Sequence, residues 1–226
     1  MGWAAWAVRA PEARSTSDLT HGISQYFRRK RMRHFAAELG ITAQTKVLDI
    51  GGTPECWEML AVKPRLVLLN TPRATADLAG AASWVAGDGL LLPFRDGAFD
   101  VVFSNSVIEH VGDAASQQRF ADEVARVGQA YWVQTPNRWF PVEQHLLTPI
   151  IHWLPKAWQR SVVPRFNVWQ MLARPSADRR KFYVEHYLRD VRLLSGRDVR
   201  LLFPGARILR ERLWGITKSL VAMRRG

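Results

Sequence analysis

The spacing of apolar side chains changes several times along this chain, and each change marks an element. Ile23, Phe27, Met32, Phe35, Ala36 and Leu39 approximate helical spacing, and Gly40 supplies a stop signal, so a helix is predicted over 24–39. Arg28, Arg29, Lys30, Arg31 and Arg33 fall on what reads as its solvated face. Five unbroken apolar runs follow. They occupy 46–50, running into Gly51-Gly52; 65–70, ending in Thr71-Pro72; 83–86, closed by Gly87-Asp88-Gly89; 99–104; and 130–135, closed by Pro136-Asn137. Residues 114–127, between the last two, read as an amphipathic helix. A strand that is apolar on both sides is buried on both faces, which is the signature of a parallel sheet covered by helices. A helix over 185–202 and two strands near 206–213 and 218–223 complete the pattern. The predicted fold is α/β: a Rossmann-like, doubly wound, seven-stranded and mostly parallel sheet with helices on both faces.

Sheets of this kind bind ligands at the carboxyl ends of their strands, near the point where strand order reverses. Gly51-Gly52, Asn70, Asp88-Gly89, Ser104-Asn105 and Thr135-Pro136-Asn137 therefore gather along one edge and make one cleft of five turns. From 138 onward the pattern changes. Trp139, Phe140, Trp153, Trp158, Phe166 and Trp169 are interspersed with prolines at 141, 149, 155, 164 and 175, a density that permits only short helices and turns. This stretch is expected to fold over the sheet edge as a lid. The organisation is one domain: an arm over 1–23, a core over 24–137, a lid over 138–185 and a closing unit over 186–226.

With 226 residues, 47% of them hydrophobic, the chain is long and apolar enough for a full core and is not a disordered polymer. A single cysteine excludes a disulfide framework and a cysteine-rich zinc site, which favours a reducing compartment. No stretch reaches the roughly 20 apolar residues that a membrane-spanning helix needs. At the start, Arg9 follows the apolar residues 1–8, the reverse of a secretory signal, and Trp6 stands where a myristoylation motif has Ser or Thr. A soluble, cytoplasmic protein is expected. The net charge of +12 is unevenly placed: +4 over 1–40, −3 over 41–159 and +11 over 160–226. The flanks, not the centre, would meet an anionic partner.

Three stretches, 47–53 (Val-Leu-Asp-Ile-Gly-Gly-Thr), 87–94 (Gly-Asp-Gly-Leu-Leu-Leu-Pro-Phe) and 99–111 (Phe-Asp-Val-Val-Phe-Ser-Asn-Ser-Val-Ile-Glu-His-Val), resemble class I S-adenosylmethionine-dependent methyltransferases. The likeness is to the small bacterial type 11 members and covers about residues 24–137. It implies that Asp49, Gly51 and Gly52 hold the amino-acid end of S-adenosylmethionine, and that Asn70 stands where the ribose is gripped. It implies further that Asp88 accepts from the adenine amine with Gly89 and Leu90 beside the ring, while Ser104 and Asn105 line the floor under the sulfonium. Glu109 and His110 match the family's Glu-His pair, for which an architectural role is expected. Two departures stand out: Thr53-Pro54-Glu55 replaces a glycine-rich run, and Asn70 replaces a carboxylate. The cofactor has no pyrophosphate, so the first is tolerable, and an amide can still bond ribose hydroxyls without charge assistance.

Other readings of single residues stay open. Asp49 and Asp88 are also the kind of side chain that caps a turn. Cys56 reads as a small buried residue, with nothing nearby to favour a thiolate. His145, about ten residues beyond the fifth strand, is the candidate catalytic base, with Glu143 to orient it; packing is the alternative. Glu143 and His145 alone are too few for a metal site, so none is expected. The leading function is methyl transfer, chiefly to oxygen, on a small-molecule, sugar or lipid-linked acceptor, and the mixture of Trp, Leu and Arg in the lid permits peripheral membrane contact. The basic flanks keep a nucleic-acid methyltransferase in view, although 104–107 (Ser-Asn-Ser-Val) lacks the Asn/Asp-Pro-Pro-aromatic stretch of base-amine enzymes. The eroded glycine loop keeps an inactive binding protein in view. A nicotinamide dehydrogenase fits poorly, because the glycines that a pyrophosphate requires are missing.

Overall fold

A computed structural model describes residues 18–71 and 83–226. Its centre is a seven-stranded sheet built from β1 (Lys46–Ile50), β2 (Arg65–Asn70), β3 (Trp84–Ala86), β4 (Phe99–Asn105), β5 (Gly128–Pro136), β8 (Arg207–Leu213) and β9 (Ile216–Arg224). The strand order is β3-β2-β1-β4-β5-β9-β8; the first five are parallel, and β9 runs antiparallel to both β5 and β8. The order reverses between β1 and β4, whose registers pair Asp49 with Phe103 and Ile50 with Ser104.

The continuous apolar runs are explained by alternation onto two covered faces. Leu48, Ile50, Val102, Tyr131 and Val133 pack on one face with Phe120 and Val124 of α3 (Ala114–Val127) and Val199 of α7 (Gly196–Leu202). Val47, Val101, Phe103, Ala130 and Trp132 pack on the other with Met32 and Phe35 of α1 (Asp18–Leu39) and Trp57 of α2 (Pro54–Glu58). There Phe35, Trp57, Phe103 and Trp132 meet edge-to-face, with ring centroids 4.8–5.8 Å apart. Helix α3 occupies the predicted residues and is capped by the Asp113 carboxylate, which accepts from the Ser116 N–H.

Three expectations are corrected. Helix α1 begins at Asp18, six residues early, and Arg31 lies on its buried side and not on a solvated face. The guanidinium is paired at 2.6 and 2.5 Å with both carboxylate oxygens of Glu211 on β8, which makes burial of the charge tolerable. The closing helix is two helices. α6 (Ala177–Asp190) ends before Val191, and α7 restarts at a capping box in which Ser195 and Asp198 satisfy one another's backbone N–H groups. The boundary drawn at 185/186 therefore falls inside α6.

The lid consists of short pieces, as its prolines require. β6 (Val142–Glu143) pairs with β7 (Thr148–Pro149), a single 3-10 turn covers Ile151–Trp153, and α4 (Lys156–Val162) and α5 (Val168–Ala173) precede α6. Its own small core is Leu146, Ile151, Val163, Val184, Tyr187 and Val191. No helix among the described residues is long and apolar enough to cross a membrane. The arm predicted over 1–23 lies almost wholly outside the described residues.

Candidate active site

A cleft of about 380 Å³ opens at the carboxyl ends of β1 and β4, where the strand order reverses. Asp49, Gly51, Gly52, Asn105 and His145 line it, together with Thr53, Ser106, Val107, His110 and Gln144. This is the edge at which the topological argument from sequence expects the cleft.

Its first wall is the loop after β1. Gly51 has φ 76°, a left-handed conformation that suits glycine, and its N–H donates to the Leu69 carbonyl at 2.8 Å. Gly52 lies directly over the Asp49 carboxylate, and a Cβ there would sit 1.7 Å from Oδ2. Asp49 is 1% exposed, accepts from the Trp57 indole N–H at 2.7 Å, and is pushed up to about 7 by burial. Asn70 is also buried; its amide donates to the Gly52 carbonyl at 2.9 Å and so pins the loop from β2. One oxygen of each, Asp49 Oδ1 and Asn70 Oδ1, is buried without a hydrogen-bond partner among the described residues. Two orphaned acceptors under a glycine cradle call for a ligand that brings N–H or O–H donors.

Four of the expected site residues play parts that differ from lining this cleft. Ser104 is fully buried and its hydroxyl donates to the Ile50 carbonyl at 3.3 Å, bracing β4 on β1. Asn70 holds the loop, as described. Asp88 is exposed at the turn after β3 and accepts from the Leu90 N–H at 2.9 Å, while Gly89 beside it is buried. Asn105 remains at the cleft, with its side-chain oxygen accepting from the Arg31 guanidinium. Next to it Ser106 adopts φ 57°, a costly conformation for a non-glycine residue, held by its N–H on the Gln134 carbonyl.

The second wall is a buried polar cluster. A 3-10 turn over Ile108–His110 follows β4, and Gln117 of α3 anchors it by donating to the Ile108 and Arg192 carbonyls. Glu109 is fully buried; its Oε2 accepts from Thr135 at 3.0 Å, and burial pushes it up to about 7. His110 Nε2 lies 3.2 Å from His145 Nε2, and His145 Nδ1 lies 2.5 Å from Glu143 Oε1. The other Glu143 oxygen accepts from the Leu146 N–H at 2.6 Å, and the Tyr183 hydroxyl donates to the His145 carbonyl. Burial alone would lower His145, but the Glu143 carboxylate bonded to it and the nearby Glu109 together raise the imidazole above its ordinary value. Burial would likewise raise Glu143, yet the same pairing holds it below the usual carboxylate range. His110 is driven well below its ordinary value by burial, with His145 and His186 adding to the effect. The His186 ring stacks on it at 5.8 Å. The pair is therefore polarised: His145 is the basic imidazole and His110 the neutral one.

Sequence reasoning pointed to His145 and its orientation by Glu143. It missed Arg31 and Gln117, which meet Glu211 and Arg192 far away in sequence, and Trp57, only eight residues from Asp49; for His110 it expects an architectural part. The Ile-Glu-His stretch was the available signal. Cys56 is at the cleft wall, and burial raises its thiol, which keeps it protonated.

A Rossmann-like sheet with a glycine turn at the point where strand order reverses is an arrangement that many nucleotide-cofactor proteins share. Residues 42–130 match the family model described as a methyltransferase domain. Over these residues the chain is similar to methyltransferase domains, whose methyl donor is S-adenosylmethionine. Similar solved structures include a Rhodobacter sphaeroides protein described as a zinc-dependent alcohol dehydrogenase (14% identity, 98% of this chain and 94% of that chain, TM-score 0.59). Another is a chain of the Haloferax volcanii complex between the Trm112 methyltransferase activator and a methyltransferase (15%, 84% and 86%, TM-score 0.54). At such identities both speak for the fold. A sarcosine dimethylglycine methyltransferase from Galdieria sulphuraria matches at 22% identity over 48% of this chain, TM-score 0.41, and the match spans 46% of that protein's length. The site fits the cofactor: its ammonium and ribose hydroxyls are donors of the kind that Asp49 Oδ1 and Asn70 Oδ1 lack.

Proposed function

We propose that this protein transfers a methyl group from S-adenosylmethionine to an oxygen of a lipid-like acceptor, with His145 as the base. The cofactor supplies an electrophilic methyl on a sulfonium. Asp49, Gly51 and Gly52 hold its amino-acid end, and Asn105 and Ser106 face the cleft beside it. The proton leaving the acceptor hydroxyl goes to the His110–His145 pair, where the Glu143 carboxylate stabilises the imidazolium. The observation that carries this reading is the His145 imidazole at the cleft wall, with Nδ1 held by Glu143 and Nε2 turned toward His110.

The acceptor class rests on the lid. Of fifteen large hydrophobic side chains exposed among the described residues, eight lie between 139 and 182, including Trp158, Phe166, Met171 and Phe182. The same stretch holds seven Lys/Arg against two acidic residues, and one of those, Glu143, is buried. Apolar side chains interleaved with positive charge suit an anionic membrane surface, so the protein is read as a cytoplasmic enzyme that works against a bilayer. The test is calorimetry with S-adenosylhomocysteine, then flotation with anionic and zwitterionic vesicles. One-to-one cofactor-product binding and retention by anionic vesicles alone are expected. Failure of the first overturns the enzyme reading; failure of the second overturns the lipid acceptor.

A further inference from the structure

The buried cluster holds more than a base needs. Glu109, His110 and His145 each bring one ligating atom, and these atoms all lie within 4.8 Å of one another. The two Nε2 atoms are 3.2 Å apart, close to the roughly 3.3 Å that separates two imidazole nitrogens on a tetrahedral zinc ion. Glu109 Oε2 is spent on Thr135, which leaves Oε1 fully buried, without a hydrogen-bond partner among the described residues, 3.9 Å from His110 Nε2. A small rotation of that carboxylate completes the set. The Glu143 carboxylate on His145 Nδ1 is the outer partner that metal-bound histidines carry, fixing the ring so that Nε2 faces inward. His110 and His145 line the open cleft, which supplies an entry path and a free coordination position. Two nitrogens and one carboxylate oxygen suit a first-row transition ion; magnesium and calcium prefer oxygen throughout.

We propose that Glu109, His110 and His145 form a binding site for a divalent cation of the zinc class at the acceptor end of the cleft. The ion takes the lone pair that His145 would offer to an acceptor proton, so metal binding and base chemistry exclude one another and the ion acts as a brake on the enzyme. That consequence rests on the methyl-transfer reading above; the binding itself does not.

The experiment uses the untagged full chain, stripped with a chelator and titrated with Zn²⁺ by calorimetry and with Co²⁺ by visible absorption. S-adenosylhomocysteine is titrated in parallel. One Zn²⁺ per chain is expected, with a tetrahedral Co²⁺ spectrum that Zn²⁺ displaces. His110→Ala and His145→Ala each abolish the spectrum, and the near-isosteric Glu109→Gln keeps the fold while weakening zinc. Glu143→Gln, which does not touch the ion, weakens it about 10- to 100-fold. Wild-type protein without stoichiometric zinc binding, or folded variants that bind as tightly as wild type, overturn the site. Loss of zinc binding with S-adenosylhomocysteine still bound defeats this inference alone. Zinc binding without S-adenosylhomocysteine binding defeats the methyl-transfer reading and leaves the site standing.

Discussion

The two sides of the cleft are built by different means. On the sheet side, Asp49, Asn70 and Ser104 sit at the ends of buried parallel strands, and their bonds run to Trp57 of α2, to the loop after β1 and to β1 itself. On the lid side, Glu143 and His145 belong to a stretch whose own core is only six buried hydrophobic residues. They reach His110 at the sheet edge across a seam of side-chain bonds. The first wall is positioned by a hydrophobic sheet and needs few polar contacts. The second is positioned by polar contacts and needs nearly all of them. In a fold organised this way, changes in the lid wall are expected to cost the sheet little.

The sharpest way to break this contrast is on the lid side. His145→Ala is expected to reduce methyl transfer about 10²- to 10⁴-fold while S-adenosylhomocysteine affinity changes little. Steady-state turnover and calorimetry on the same preparation check the pair of outcomes, and unchanged turnover removes the base assignment.

On the core side, Asp49 carries a pH signature. Its carboxyl is at about 7 in the fold, against 3.8 for an ordinary aspartate, and the buried site disfavours its charge. The native state therefore holds this proton more tightly than the unfolded chain. The stabilisation is full below about pH 4 and is lost as pH rises through 7, up to about 4 kcal/mol in all. Asp49→Asn is expected to flatten the fall in Tm between pH 5 and 8 compared with wild type. Equal slopes in both proteins contradict the buried, ligand-free carboxylate.

Arg31 tests whether the cofactor wall depends on polar anchoring at all. Arg31→Ala leaves Glu211, 17% exposed, without its bidentate partner and frees Asn105 at the cleft. A loss of about 3 kcal/mol is expected in denaturant unfolding, with weaker S-adenosylhomocysteine binding. The smallest effect belongs to the exposed lid surface. Trp158→Ser, at a side chain 64% exposed, should change stability by no more than about 0.5 kcal/mol yet reduce retention by anionic vesicles. A large fall in Tm would mean that Trp158 packs in the fold instead of facing a partner.

Legibility followed the same division. Strands β1, β2 and β4 and helix α3 were readable because burial on both faces or on one stripe imposes a period that local sequence displays. The cleft was readable because turn residues end parallel strands on one side. The pairing of His110 with His145 was not, since it joins residues 35 apart through a lid whose path the prolines do not specify. Arg31 misled for a related reason: a charge on a helix reads as solvated until a distant carboxylate is known to meet it. The break between α6 and α7 was missed because the Ser195–Asp198 cap lies inside a stretch whose apolar spacing continues across it.

The sequence by itself determined the doubly wound sheet, the edge where the cleft opens and the glycine turn after β1, because these follow from periodicity, turn residues and chain direction. Tertiary structure alone decided which polar side chains face the cleft and which brace it. It turned Ser104 and Asn70 inward, buried Arg31 against Glu211, and set Glu109, His110 and His145 around one point. Periodicity reports which face of an element is buried. The partner of a buried polar group is set by the packing of elements remote in sequence, and that information is not local.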